Sequence, residues 1–183
     1  MSKTQRLIQS YRSFIELPWR DDTAAVQRVM FCVYPEQEEL RLRAKIGEFE
    51  LATREAGHGW AEFDLTDTFP QWMASQRHKE KYFRSPHLLS MLLPRYRSYI
   101  VGRFEELLSE DLADENAVIA LKGVGSLFGF LKVKEVVDIL APKVAGRLLV
   151  FFPGGYEENN YRLLDGYDGW NYHATPITPD QGR

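Results

Sequence analysis

Arg147-Leu-Leu-Val-Phe-Phe152 is the most strand-like run of the 183-residue sequence, and Pro153-Gly-Gly155 follows it directly. Proline and glycine are depleted in strands, so we expect the strand to end at this point. Two earlier runs are also apolar throughout, namely Arg28-Val-Met-Phe-Cys-Val-Tyr34 and Ala117-Val-Ile-Ala-Leu121. Continuous apolar runs are typical of strands buried on both faces, which favours parallel pairing between two layers of helices.

Helical patterns lie before and between these strands. Residues 4–17 carry apolar side chains at spacings of three or four up to Pro18, namely Leu7, Tyr11 and Phe14 or Ile15. Residues 36–56 are rich in strong helix formers and predict one long helix, with Leu40, Ile46 or Arg43, and Leu51 near helical spacing.

The middle of the chain repeats the step from strand to helix. Trp60-Ala-Glu-Phe-Asp-Leu65 predicts a second strand, and Thr66-Asp67 is expected to cap a helix carrying Phe69, Trp72 and Met73. Residues 86–112 predict a helix interrupted at Pro94, with Tyr96, Ile100 and Phe104 on its apolar face. Ser126 is expected to cap a further helix over residues 127–140.

Strand and helix alternate at least three times, and no repeat or linker divides the sequence. We therefore predict one α/β domain over residues 1–183, with a mostly parallel sheet flanked by helices. We expect this core to be doubly wound and nucleotide-binding-like, but without a P-loop.

Composition excludes several kinds of site. Cys32 is the single cysteine, so neither an intramolecular disulfide nor a multi-thiolate metal site can form, and its place in an apolar strand indicates an inert thiol. The four histidines are scattered, and His-Glu-x-x-His and Gly-x-Ser-x-Gly are absent. We expect no metal, no cofactor and no enzymatic activity. The reducing cytoplasm fits a lone cysteine without a secretion-type leader.

The first candidate site is the turn Gly123-Val-Gly125-Ser126, between a predicted strand and a predicted helix. Backbone N–H groups in such a position can hold a phosphate. The glycine spacing departs from the dinucleotide-binding pattern, however, and no lysine follows as in a P-loop. The alternative is structural, in which the glycines let the chain turn tightly and Ser126 caps the helix.

The second candidate is the segment of residues 153–173, which joins turn formers, acids, amides and aromatic residues. At the carboxyl end of a strand, its acids and His173 could bind a hard cation or act as acid and base; these acids are Glu157, Glu158, Asp165 and Asp168. The alternative is an ordered tail whose apolar residues cover an edge of the sheet, namely Tyr161, Leu163, Leu164, Trp170 and Tyr172.

The third candidate is a basic stretch between residues 71 and 103, in which seven cations face the single acid Glu80. The cations are Arg77, Lys79, Lys81, Arg84, Arg95, Arg97 and Arg103, and the interleaved aromatic residues are Trp72, Tyr82, Phe83, Tyr96 and Tyr99. Such a stretch can bind phosphates and stack on bases, or it can receive an acidic protein. A solvated charged face is the alternative.

The sequence also resembles a known family, the BrxB family, a core component of bacterial BREX phage-defence systems. The resemblance lies in residues 146–177, which include Pro153-Gly-Gly-Tyr-Glu-Glu-Asn-Asn-Tyr161 and Asp165-Gly-Tyr-Asp-Gly-Trp-Asn-Tyr172. Lys122-Gly-Val-Gly-Ser-Leu127 is similar to the family's preceding turn. The resemblance implies a cytoplasmic protein that acts with an AAA+ ATPase, a DNA adenine methyltransferase and an alkaline-phosphatase-like protein. It implies no catalytic residues.

We therefore expect a non-catalytic assembly subunit that contacts other BREX proteins. The alternatives are a DNA-binding subunit of the same system and a degenerate nucleotide-binding α/β domain. The residues expected to contact a partner or nucleic acid belong to the tail and to the basic stretch, namely Tyr156, Glu157, Glu158, Asn159, Asn160, Arg77, Lys79, Lys81 and Arg84.

Overall fold

The computed structural model describes residues 1–110, 113–166 and 169–181. The α-helices within these ranges are α1 (Lys3–Ile15), α2 (Glu39–Arg43), α3 (Ile46–Glu55), α4 (Thr68–Ala74), α5 (Lys79–Arg84), α6 (Leu93–Leu108) and α7 (Val133–Leu140). The strands are β1 (Val29–Tyr34), β2 (Gly59–Asp64), β3 (Ala117–Lys122), β4 (Arg147–Glu157), β5 (Asn160–Leu163), β6 (Trp170–Asn171) and β7 (Thr175–Ile177). The expectation of a mixed α/β chain is confirmed.

The seven strands form one mixed sheet. The path β2-β3-β4-β1-β7 is parallel at every step. Beyond it, β5 pairs antiparallel with the distal part of β4, and β6 pairs antiparallel with β5. The carboxyl ends of β1 to β4 therefore lie at the same edge of the sheet, where open α/β sheets usually bind ligands.

Strand β1 shows how the sheet divides two apolar cores. All six of its residues are buried, as the sequence predicted. Val29, Phe31 and Val33 pack into the core under α4, α6 and α7, whereas Met30 and Cys32 pack into the core under α1 and α3. Because successive side chains of a strand point to opposite faces, a strand covered on both sides has to be apolar throughout.

The expected end of β4 at Pro153 is wrong, because the strand continues to Glu157. Pro153 lies opposite Tyr34 of β1, and its carbonyl oxygen accepts a hydrogen bond of 2.8 Å from the N–H of Leu164. Gly154 is required because any Cβ at this position would overlap the carbonyl oxygen of Arg162 in β5. The proline and glycines thus mark the place where β4 changes its pairing partner.

The single long helix expected over residues 36–56 is also wrong. The chain forms a short 3-10 helix, then α2, and then α3 after a break at Ala44 and Lys45. Leu40 and Leu51, expected on the apolar face, are 82% and 51% exposed. Ile46, also expected on the apolar face, is buried, and the other side chains turned toward the sheet are Leu42, Phe49 and Ala52.

Two further helix predictions need correction. Pro94 does not interrupt a helix but lies in the first turn of α6, where its missing N–H removes no intrahelical bond. The helix expected from Leu127 begins only at Val133, because a 3-10 helix over Val124–Leu127 and Gly129, at φ +82°, come first. Ser126 lies inside that 3-10 helix and caps nothing. The predicted α1, β2, α4 and β3 are present, although the Asp67 side chain does not cap α4.

Candidate functional site

The end of β4 and all of β5 form a projecting β-hairpin. Its two-residue turn is Glu158-Asn159, with φ values of +48° and +67°, between paired Glu157 and Asn160. Positive φ at both central residues defines a type I′ turn. All four residues are exposed, and the hydroxyl of Tyr156 donates to Oδ1 of Asn159 over 2.9 Å. We call residues 156–160 the hairpin tip.

Aromatic side chains pack the hairpin into the core directly behind its tip. The Tyr161 ring lies 4.7 Å from the Phe31 ring and 5.3 Å from the Trp170 ring, measured between centroids. Tyr172 stacks on Phe31 at 5.7 Å. Burial raises the pKa of both Tyr161 and Tyr172, and the nearby Asp138 carboxylate raises that of Tyr172 further. The apolar tail residues thus cover a face of the sheet, and β7 covers the edge beside β1.

The acids of the tail do not converge on one site. Glu157 and Glu158 line a shallow depression of about 350 Å³ at the hairpin tip. Asp165 lines a different groove, of about 730 Å³, between the tail and α7. His173 is exposed and lines neither, and Asp168 lies outside the described residues. No three metal-ligating side chains gather within residues 1–110, 113–166 and 169–181.

The basic stretch divides into two parts. Arg97 and Arg103 lie on α6, where they pair with Glu135 at 3.8 Å and with Glu106 at 3.5 Å. The cations nearer the N-terminus surround a depression of about 430 Å³ next to α5, lined by Arg77, His78, Lys79, Glu80, Lys81, Arg84 and Ser85. We call residues 77–95 the basic segment. It extends to Arg95, which is also an exposed cation but does not line the depression.

The interleaved aromatic residues have different environments. Trp72 and Tyr96 are buried in the core, so they are not available to a ligand. Tyr82 is partly buried and packs against the same core, which fastens α5 to the body of the protein. Phe83, next to Tyr82, is 66% exposed. Of these aromatic side chains, Phe83 therefore offers the most ring surface beside the cations.

A polar network at the carboxyl edge of the sheet was not anticipated from the sequence. Glu39 accepts hydrogen bonds from Tyr34 at 2.5 Å and from Arg43 at 2.6 Å. Arg43 also donates to Thr66 at 2.7 Å, and Thr66 donates to Asp64 at 2.5 Å. Burial and the Glu39 carboxylate raise the pKa of the Tyr34 phenol. The i,i+4 spacing of Glu39 and Arg43 was a visible signal, but it did not reveal the link to β2.

This network fills the space beside the Gly123 turn. Gly123 has φ +77°, and a Cβ at this position would lie 2.5 Å from Oγ1 of Thr66 and 2.8 Å from Oδ1 of Asp64. The glycine therefore permits close packing against the loop after β2. Because the Asp64 carboxylate lies beside Gly123, its negative charge opposes phosphate binding and favours the structural interpretation.

The fold is that of a mixed α/β protein. Its two charged, exposed surfaces, the basic segment and the hairpin tip, lie outside the parallel strands. The sequence model of the family described as BREX protein BrxB matches residues 62–177, more than half of the chain. The chain therefore belongs to the BrxB family and is a BREX phage-defence component. The match includes both the basic segment and the hairpin tip.

Comparison with curated proteins and with solved structures gives no match to the chain. Within the part of the chain that the structure describes, no helix has both the length and the apolar character needed to cross a membrane.

Proposed function

We propose that this chain is a non-catalytic docking subunit of a BREX complex and that the hairpin tip holds a protein partner. The observation that carries the proposal is the contrast between the buried Tyr161 and the exposed turn beside it. Tyr161, which pairs with Tyr156 directly behind the turn, is fully buried, whereas Glu157 to Asn160 are all exposed. A binding surface on a rigid support loses little conformational entropy when a partner binds.

The tip has a definite chemistry for recognition. Glu157 and Glu158 supply two adjacent carboxylates, and Asn159 and Asn160 supply amide groups. Carboxylates form their strongest hydrogen bonds with cationic donors, so a partner surface with arginine or lysine is the expected complement. Glu158 also has a left-handed backbone, which is unfavourable for most residues and is concentrated at functional positions.

The carboxyl edge of the sheet supports a non-catalytic role. In open α/β sheets this edge usually receives the substrate or cofactor. Here the Glu39, Arg43, Thr66 and Asp64 side chains bond to one another across it, and Thr66 and Asp64 pack against Gly123. These four side chains are therefore engaged within the chain.

The expected partners are the other BREX proteins, namely the AAA+ ATPase, the DNA methyltransferase and the phosphatase-like protein. In this proposal the chain acts in the cytoplasm as one folded domain. The charge of the tip favours whichever of these proteins has an exposed basic surface.

Affinity purification from cells that express the whole system tests the proposal. We expect the tagged chain to retain at least one of the three proteins, and Glu157→Lys/Glu158→Lys to reduce the retained amount about tenfold, because each reversal removes a charge-assisted contact. Asp21→Lys/Asp22→Lys is the matched control, since it changes the same charge at two adjacent exposed acids. Retention of no BREX protein, or equal loss in both variants, would refute the proposal.

A further inference from the structure

We propose that the basic segment, residues 77–95, binds the phosphodiester backbone of single-stranded nucleic acid. The first argument is charge. The segment contains five cations and one acid, and within the described residues none of the five forms an ion pair; they are Arg77, Lys79, Lys81, Arg84 and Arg95. In contrast, Arg97 and Arg103 have acidic partners. Clustered cations without internal partners attract a polyanion.

The second argument is shape. Arg77, Lys79, Lys81 and Arg84 line one open depression of about 430 Å³ together with the single acid Glu80, so four cations and one acid border a common space. The segment is supported from below, because Tyr82 and Leu89 pack against the core. A concave cationic surface with a fixed base suits a backbone that presents one phosphate after another.

The third argument is the exposed ring of Phe83. It lies on α5 between Lys81 and Arg84, and 66% of its surface is exposed. An aromatic face beside cations is the arrangement on which unpaired bases stack. A duplex keeps its base faces covered, whereas the unpaired bases of a single strand can stack on such a ring. The observations therefore favour a single strand.

Fluorescence anisotropy with the purified full chain tests this inference. The probes are a labelled DNA strand of about 20 nucleotides, the corresponding duplex, and polyglutamate as a competitor. We expect the strand to bind more tightly than the duplex. With about four phosphates contacted, its affinity should fall about fiftyfold between roughly 50 and 200 mM salt. Tighter duplex binding, or competition by polyglutamate as effective as by unlabelled DNA, would overturn the inference.

Two pairs of variants locate the surface. Lys79→Glu/Lys81→Glu should weaken binding at least about tenfold, whereas Lys132→Glu/Lys134→Glu, with the same spacing and charge change at exposed lysines, should have little effect. Phe83→Ala should weaken binding about tenfold, whereas Met91→Ala, at an 80% exposed apolar residue of the same segment, should not. Equal effects within either pair would overturn the inference.

Lys79→Gln/Lys81→Gln repeats the charge test without adding acids, in case the reversal prevents folding. The inference is separate from the proposed docking function, because the hairpin tip and the basic segment line different depressions. A chain that retains its BREX partners but does not bind DNA would refute this inference alone. A chain that binds DNA but retains no partner would refute the docking proposal alone.

Discussion

The phenol of Tyr161 donates a hydrogen bond of 3.1 Å to the carbonyl oxygen of Ala174. Both residues are buried, so the bond joins β5 to the segment entering β7 inside the core. Because β7 pairs with β1, this contact also connects the hairpin to the edge of the parallel sheet. The bond therefore ties Tyr161, the residue that follows the hairpin tip, to the core.

Removing this hydroxyl should therefore destabilise the whole chain. We expect Tyr161→Phe to lower the free energy of unfolding by about 1–3 kcal/mol, since the Ala174 carbonyl loses its partner in a buried site. Tyr161→Ala should lower it by about 3–5 kcal/mol, because it also removes a buried ring. Urea unfolding followed by circular dichroism measures both. Tyr156→Phe is the control, because its hydroxyl bonds to exposed Asn159 at the tip, and an equal loss there would contradict the assignment.

Two glycines should respond oppositely to the same substitution. A Cβ at Gly146 would overlap the carbonyl oxygen of Ala117, so Gly146→Ala forces β3 and β4 apart and should cost at least about 1–3 kcal/mol. Gly102 lies inside α6 with nothing within 4 Å of its added Cβ. Gly102→Ala should stabilise by about 0.5–1 kcal/mol. Thermal unfolding compares the two, and a stable Gly146→Ala variant would show that the strands can separate without cost.

Buried tyrosines should make the protein sensitive to alkali. Burial raises the pKa of five phenols, those of Tyr11, Tyr34, Tyr96, Tyr161 and Tyr172. Unfolded tyrosine ionises at a pH of about 10, so above this pH the unfolded chain loses protons that the folded chain keeps. The contribution of these residues to stability is therefore complete below pH about 10 and falls as the pH rises further.

The measurement is a titration that follows phenolate absorbance and circular dichroism together. We expect the buried phenols to ionise only as the dichroism signal is lost. Ionisation of all nine tyrosines with the dichroism signal unchanged would contradict the prediction.

The parts of the fold that followed from the sequence are those set by local residue types. In β1 each residue from Val29 to Tyr34 is apolar, and a strand buried on both faces requires this. The continuation of β4 past Pro153 could not be predicted in the same way, because it depends on pairing with β5. Likewise, the choice of Leu42 over Leu40 for the core depends on which side of α2 faces the sheet, and this is set by packing in the folded chain.

In the candidate surfaces too, some features follow from the local residue types and others only from contacts in the folded chain. That the tip is polar and turn-forming follows from its residues, but the positive φ of Glu158 opposes local preference and is imposed by the hairpin register. The charge of the basic segment can be counted in the sequence. The sequence does not show that Arg97 has an acidic partner, because Glu135 lies on α7 and reaches that arginine only in the folded chain.

The left-handed backbone at Glu158 leads to a test of the hairpin tip itself. Asparagine is favoured at the first central position of a type I′ turn, whereas glutamate is not. Glu158→Asn should therefore raise the free energy of unfolding by about 1 kcal/mol, and the bond between Tyr156 and Asn159 should remain. Denaturant unfolding measures the gain, which shows that the native residue is unfavourable for folding.

If the Glu158 side chain contributes to partner binding, the stabilised Glu158→Asn variant should retain less BREX partner in affinity purification. Glu157→Gln separates charge from backbone conformation, because it removes the adjacent charge where the backbone is not left-handed. We expect Glu157→Gln to reduce partner retention without the gain in stability, and Glu158→Asn to produce both effects. A Glu158→Asn chain that is more stable and retains its partner undiminished would mean that Glu158 takes no part in docking. The strain at the turn would then have no functional counterpart.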